Sequence, residues 1–99
     1  MTKKEDILCF LKEKKAELRT SYRVSKIGLF GSFAQDEGSE SSDIDLLIEF
    51  EPDTEKLSEK KAAIKKLVGE KFGKKVDLCR EKYIKPYFKA QILQSTIYV

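Results

Sequence analysis

The chain has 99 residues, 40% hydrophobic and 37% charged, with a formal net charge of +3. This is the size of one compact domain over residues 1–99, apolar enough to fold and too charged to span a membrane. With no histidine anywhere, Ser-His-Asp catalysis and almost every zinc site are excluded, and any metal chemistry must use oxygen ligands of the kind that suit magnesium or manganese.

Lys4 to about Tyr22 places Ile7, Leu8, Leu11 and Leu18 at helical spacing among Lys and Glu, which predicts an amphipathic first helix. The N-terminus has no cleavage pattern, so the cytoplasm is the expected compartment. Lys26 to Phe30 is short and apolar and predicts a strand stopped by Gly31. Gly31 to Gln35 then predicts a tight turn into a helical start, and EGSESS a polar connection.

Asp43 to Phe50 predicts a second strand, ended by Pro52. Asp53 or Thr54 is the expected cap of a helix from about Glu55 to Phe72, closed by Gly73. Lys75 to Arg80 predicts a third strand. Pro86 opens a last helix through about Gln94, and STIYV adds a short terminal strand. The order α-β-(α)-β-α-β-α-β predicts an α/β (α+β) fold, with a mixed sheet of three to four strands backed by helices. Phe30, Phe50, Phe72 and Phe88 are expected in the core, and Cys9 and Cys79 as small buried residues.

Charge is segregated along the chain. From Ile27 to Glu55 there are nine acidic residues and no Lys or Arg, whereas from Lys56 onward there are twelve basic and four acidic residues. The lysines of KLSEKKAAIKKLVGEKFGKK fit the wet side of an amphipathic helix, and no aromatic stacking pattern accompanies them, which argues against nucleic-acid binding.

Strand alternation puts Asp43, Asp45, Leu47 and Glu49 on one face and Ile44, Leu46, Ile48 and Phe50 on the other. Two adjacent carboxylates repel unless a cation sits between them, so a D-x-D on a strand suits a divalent ion; charged blunting of a sheet edge is the competing reading. Asp77 in KVDLC turns to the same side if the third strand neighbours the second. Gly31 and Ser32, just before this strand, suit a turn that brings backbone N–H groups and a hydroxyl to a phosphate.

LFGSFAQ, SDIDLLIEF, KVDL and the closing ILQSTIYV together resemble the minimal nucleotidyltransferases of the DNA polymerase beta superfamily, which often accompany HEPN-domain toxins. The resemblance spans nearly the whole chain. It implies a mixed sheet backed by helices, Gly31 and Ser32 as the phosphate-binding pair, and Asp43, Asp45 and Asp77 as metal and catalytic carboxylates. It further implies two Mg²⁺ ions, with Mn²⁺ as a substitute, ATP or another nucleoside triphosphate as substrate, and transfer of AMP to a hydroxyl. Some members modify a tyrosine of the HEPN-domain toxin and so act as antitoxins. A module that neutralises its partner by contact alone is the alternative, and homo-oligomerisation stays open. Where the family commonly reads Gly-Ser-x-Ala-Arg-Gly, this chain has Ala34, Gln35 and Asp36. One cation is thereby lost from the phosphate side, which Lys56, Lys60 or Lys61 could restore.

Overall fold

The computed structural model describes residues 2–99. Helix α1 spans Lys4–Tyr22 and begins where the Asp6 carboxylate accepts a hydrogen bond from the Lys3 backbone N–H at 3.0 Å. It ends on Arg23, whose left-handed backbone (φ 56°) turns the chain into strand β1, Val24–Phe30. The strand thus starts two residues before the apolar run suggested, because its first residues pair with the end of strand β2, Ile44–Phe50.

A single helical turn, α2, occupies Gly31–Ala34 between β1 and β2. Helix α3 covers Leu57–Phe72, and the left-handed Gly73 donates its N–H to Gly69 to close it. Its expected cap is not used. Lys56 is the N-cap, with φ 57° and no side-chain cap bond. The Thr54 hydroxyl instead donates to the Glu51 carbonyl and accepts from Arg23 Nε at 3.3 Å, tying together the turn that follows β2.

Strand β3 is Val76–Cys79, followed by a 3₁₀ turn at Glu81–Tyr83, helix α4 at Pro86–Ser95 and strand β4 at Ile97–Tyr98. The sheet order is β3-β2-β1-β4, with β2 and β3 parallel and the other two pairs antiparallel. The expected mixed α+β sheet is therefore what the chain forms. β4 comes close because Gly28 has no side chain: a Cβ there would stand 2.7 Å from Thr96 Cγ2 and 2.9 Å from Tyr98 Cδ1.

One sheet face carries the continuous core. Ile44, Leu46, Ile48 and Phe50 from β2 meet Ile7, Phe10, Leu11 and Leu18 from α1 and Ile64 and Val68 from α3. Phe72 packs against it, meeting Phe10 edge to face with ring centroids 5.6 Å apart. On the opposite face, Leu47 is also buried, and Ile84 is buried outside the main cluster. That second face is the one bearing the aspartates. Phe88 is 46% exposed rather than in the core, because α4 buries none of its residues; Cys9 is exposed and Cys79 half-buried.

Candidate active site

Asp45 stands at the crossing of two registers. Across the parallel β2/β3 pair its partner is Asp77, and across the antiparallel β1/β2 pair its partner is Phe30, the residue before Gly31. Partners in register project to the same sheet face, so the carboxylates of Asp45 and Asp77 are neighbours. Asp43 lies one residue before β2 and shares the parity of Asp45. All three are half-buried.

Gly31 completes the arrangement. Its φ is +77°, a conformation that side chains other than glycine rarely accept, and a Cβ placed there would collide with Asp45 Oδ2. The missing side chain lets the α2 turn approach the carboxylate. Ser32 lies exposed in the first turn of α2, where a helix start leaves N–H groups without internal partners.

The electrostatics are those of a crowded anionic strip. Burial is the largest cause raising the Asp45 carboxyl above its ordinary value, followed by the charges of Asp77 and Asp43. None of the ion pairs among the described residues engages Asp43, Asp45 or Asp77. The charge is left for a ligand to neutralise. In donor type and charge the three aspartates fit hard divalent cations, but they do not form a ready cage: among the described residues no group of three His, Cys, Asp or Glu side chains is arranged to hold a metal.

Two residues that the sequence did not single out brace this strip. Lys74 Nζ donates to the carbonyls of Glu40 (2.7 Å), Ser39 (3.1 Å) and Ser42 (3.4 Å), clasping the loop that delivers Asp43 to the entry of β3. Glu49 accepts from Arg80 Nε at 3.1 Å and from the Glu81 N–H at 3.2 Å, fixing the segment that leaves β3 after Asp77. Nothing in local sequence announces either contact, since each spans more than thirty residues.

The Gln35-Asp36 departure also has a location. Asp36 adopts φ 60°, where the family's glycine would sit without strain, and its carboxylate meets Lys4 Nζ at 3.0 Å. The negative charge is thereby held by α1. Of the three candidate lysines, Lys60 donates to the Glu55 carbonyl at 2.7 Å and Lys56 caps α3. Lys61 is close enough to Cys79 to oppose the rise in its thiol that burial, Asp45 and Glu49 cause.

A strand carrying D-x-D, a parallel neighbour carrying the third aspartate and a glycine-serine turn packed on the first strand's carboxylate form one pattern. The nucleotidyltransferase domain model matches residues 6–99. The chain belongs to the nucleotidyltransferase domain family. It is 39% identical over 97 residues to a Methanocaldococcus jannaschii relative of the protein adenylyltransferase group, covering 95% of each chain. It is 34% identical over 97 residues to protein adenylyltransferase MntA of Thermococcus cleftensis, covering 96% of this chain and 94% of that one. Among solved structures, a minimal nucleotidyltransferase superposes with a TM-score of 0.76 at 28% identity, over 97% of this chain and 95% of that one. The fold is also that of a chain in a toxin-antitoxin structure with AMP-PNP, with a TM-score of 0.65 at 18% identity over 88% of this chain and 70% of that one. The chain is thus a minimal nucleotidyltransferase, as its motifs suggested.

Proposed function

We propose that this single-domain nucleotidyltransferase moves AMP from ATP to a hydroxyl of a partner protein, a tyrosine of a HEPN-domain toxin, and so acts as a cytoplasmic antitoxin. The observation that carries the reading is the Gly31–Asp45–Asp77 juxtaposition, which sets a phosphate turn against paired carboxylates. The adenylyltransferase relatives support AMP as the transferred group, and the toxin-antitoxin fold neighbours support the choice of partner. Among the described residues no helix is long and apolar enough to cross a membrane.

In this reading Asp43, Asp45 and Asp77 would hold Mg²⁺, with Mn²⁺ able to substitute. When bound, the ions supply charge neutralisation at the α-phosphate and at the departing pyrophosphate. Gly31 and Ser32 bind the triphosphate through backbone N–H groups and the hydroxyl. Asp77 takes the proton from the attacking hydroxyl. The new bond joins that oxygen to the α-phosphorus, the bond from the α-phosphorus to the bridging oxygen breaks, and pyrophosphate leaves with the electron pair. The protein's work is positioning and electrostatics.

Incubating the partner with this chain, labelled ATP and magnesium tests the proposal. Label on the partner, absent with Asp45→Asn, is the expected result. The contact-only reading draws on the missing arginine at Gln35, and a tight complex that forms without label would select it.

A further inference from the structure

Helix α4 packs against β1 and α2, yet it buries none of its residues. Its start and the preceding 3₁₀ turn expose Tyr83 (68%), Tyr87 (79%) and Phe88 (46%), and β4 exposes Tyr98 (39%). The Tyr87 and Phe88 rings lie tilted against each other with centroids 4.5 Å apart, and Lys26 links the Tyr98 ring, 5.0 Å away, to Glu81 in the turn of Tyr83, 3.5 Å away. Isolated exposed aromatics are ordinary, but clustered ones mark contact surfaces. Lys82 and Lys85 rim the cluster, exposed and in none of the ion pairs among the described residues. Lys89 and Lys26, by contrast, are held by Glu81 at 4.0 and 3.5 Å.

This surface is continuous with the site. Glu49, on the face and strand of Asp45, grips Arg80 and the Glu81 N–H, so the turn carrying Tyr83 is anchored to the aspartate strand. The four residues from Asp45 to Glu49 span about 14 Å of strand. α4 then crosses back to contact β1 and α2, the turn that holds Ser32. A protein seated here would lie alongside both the attacking and the phosphate side of the site.

Charge selects the occupant. A second copy docked isologously would bring two sets of Lys82 and Lys85 into one interface, while Glu81, the carboxylate beside them, is already engaged by Lys26 and Lys89. We infer that the Tyr83–Tyr87–Phe88–Tyr98 surface, rimmed by Lys82 and Lys85, docks the acceptor protein through an apolar patch bordered by Asp and Glu on that partner. The inference rests on the proposed transfer to a protein hydroxyl for the identity of the occupant.

The test pairs two variants of the full chain, Tyr87→Ala/Phe88→Ala and Lys82→Glu/Lys85→Glu, against the HEPN-domain protein as immobilised probe. Each is expected to weaken the complex at least about tenfold, while ATP affinity measured by calorimetry stays within about twofold. Association of the charge variant should also lose its salt dependence. Unchanged affinity for both variants would overturn the inference. So would a wild-type homodimer, seen by sedimentation, that the aromatic variant dissolves. If the complex forms and the variants weaken it but no AMP is transferred, the docking surface stands and the transfer reading falls.

Discussion

The carboxylate of Asp45 occupies the space that a side chain at Gly31 would need. This pair ties the Gly31 turn to the aspartate strand more directly than any hydrogen bond in the region. Gly31→Ala must both accept φ +77° and displace Asp45. A strained left-handed residue costs about 1–2 kcal/mol, which lowers Tm by about 4–16 °C in a domain of this size. Transfer is expected to fall further, by about 100-fold, because misplacing a reacting group by about 1 Å has that effect. Calorimetric melting and initial rates on one preparation check both.

Asp45 gives a stability prediction for the metal-free protein. Its carboxyl is raised above the ordinary value of 3.8 by burial, Asp77 and Asp43, so the folded chain binds that proton more tightly than the unfolded chain. The fold therefore carries no penalty below that value and loses stability as pH rises through the folded-state value. In chelator at pH 7, Asp45→Asn is expected to melt higher than wild type, on the order of a few degrees, and the difference should vanish near the bottom of the carboxylate range. Adding magnesium should raise the wild-type Tm and leave the variant unmoved.

Lys74 binds three carbonyls of the loop that leads to Asp43. Lys74→Met removes the ammonium that these carbonyls share and that lies 5.4 Å from the Phe33 ring centroid, leaving the carbonyls to solvent. A loss of about 1–2 kcal/mol is expected, typical of charge-assisted hydrogen bonds at a part-exposed site. Hydrogen exchange should quicken at residues 39–43 and not in α1. The transfer rate should fall about tenfold, since the aspartate's approach is loosened rather than abolished.

Restoring the family's motif is expected to strengthen triphosphate binding. Gln35→Arg returns a cation to the phosphate side, and Asp36→Gly relieves the left-handed residue at φ 60° while releasing Lys4. The exposed Lys4–Asp36 pair contributes little, on the order of 1 kcal/mol or less. The double variant should bind ATP several-fold more tightly with Tm unchanged or slightly raised, read by calorimetry in magnesium buffer.

The sheet and the placement of the aspartates were legible because strand alternation is a local property. Ile44, Leu46, Ile48 and Phe50 enter the core as their period predicts, and this places Asp45 on the other face. What brings Asp77 beside it is the parallel pairing of β2 with β3, which the sequence left conditional. Lys74 and Glu49 were invisible because their partners lie more than thirty residues away. The α3 cap failed for a similar reason: Arg23, remote in sequence, competes for Thr54. Phe88 was misplaced because its hydrophobicity suggests burial, whereas α4 leaves it 46% exposed.

The most direct measurement is the intact mass of the proposed HEPN-domain partner after incubation with this chain, ATP and magnesium. A gain of one or more adenylyl units is expected with wild type, none with Asp45→Asn or Asp77→Asn, and the modified residue should map to a tyrosine. An unmodified partner with wild type, or equal modification by the Asp77→Asn variant, would contradict it.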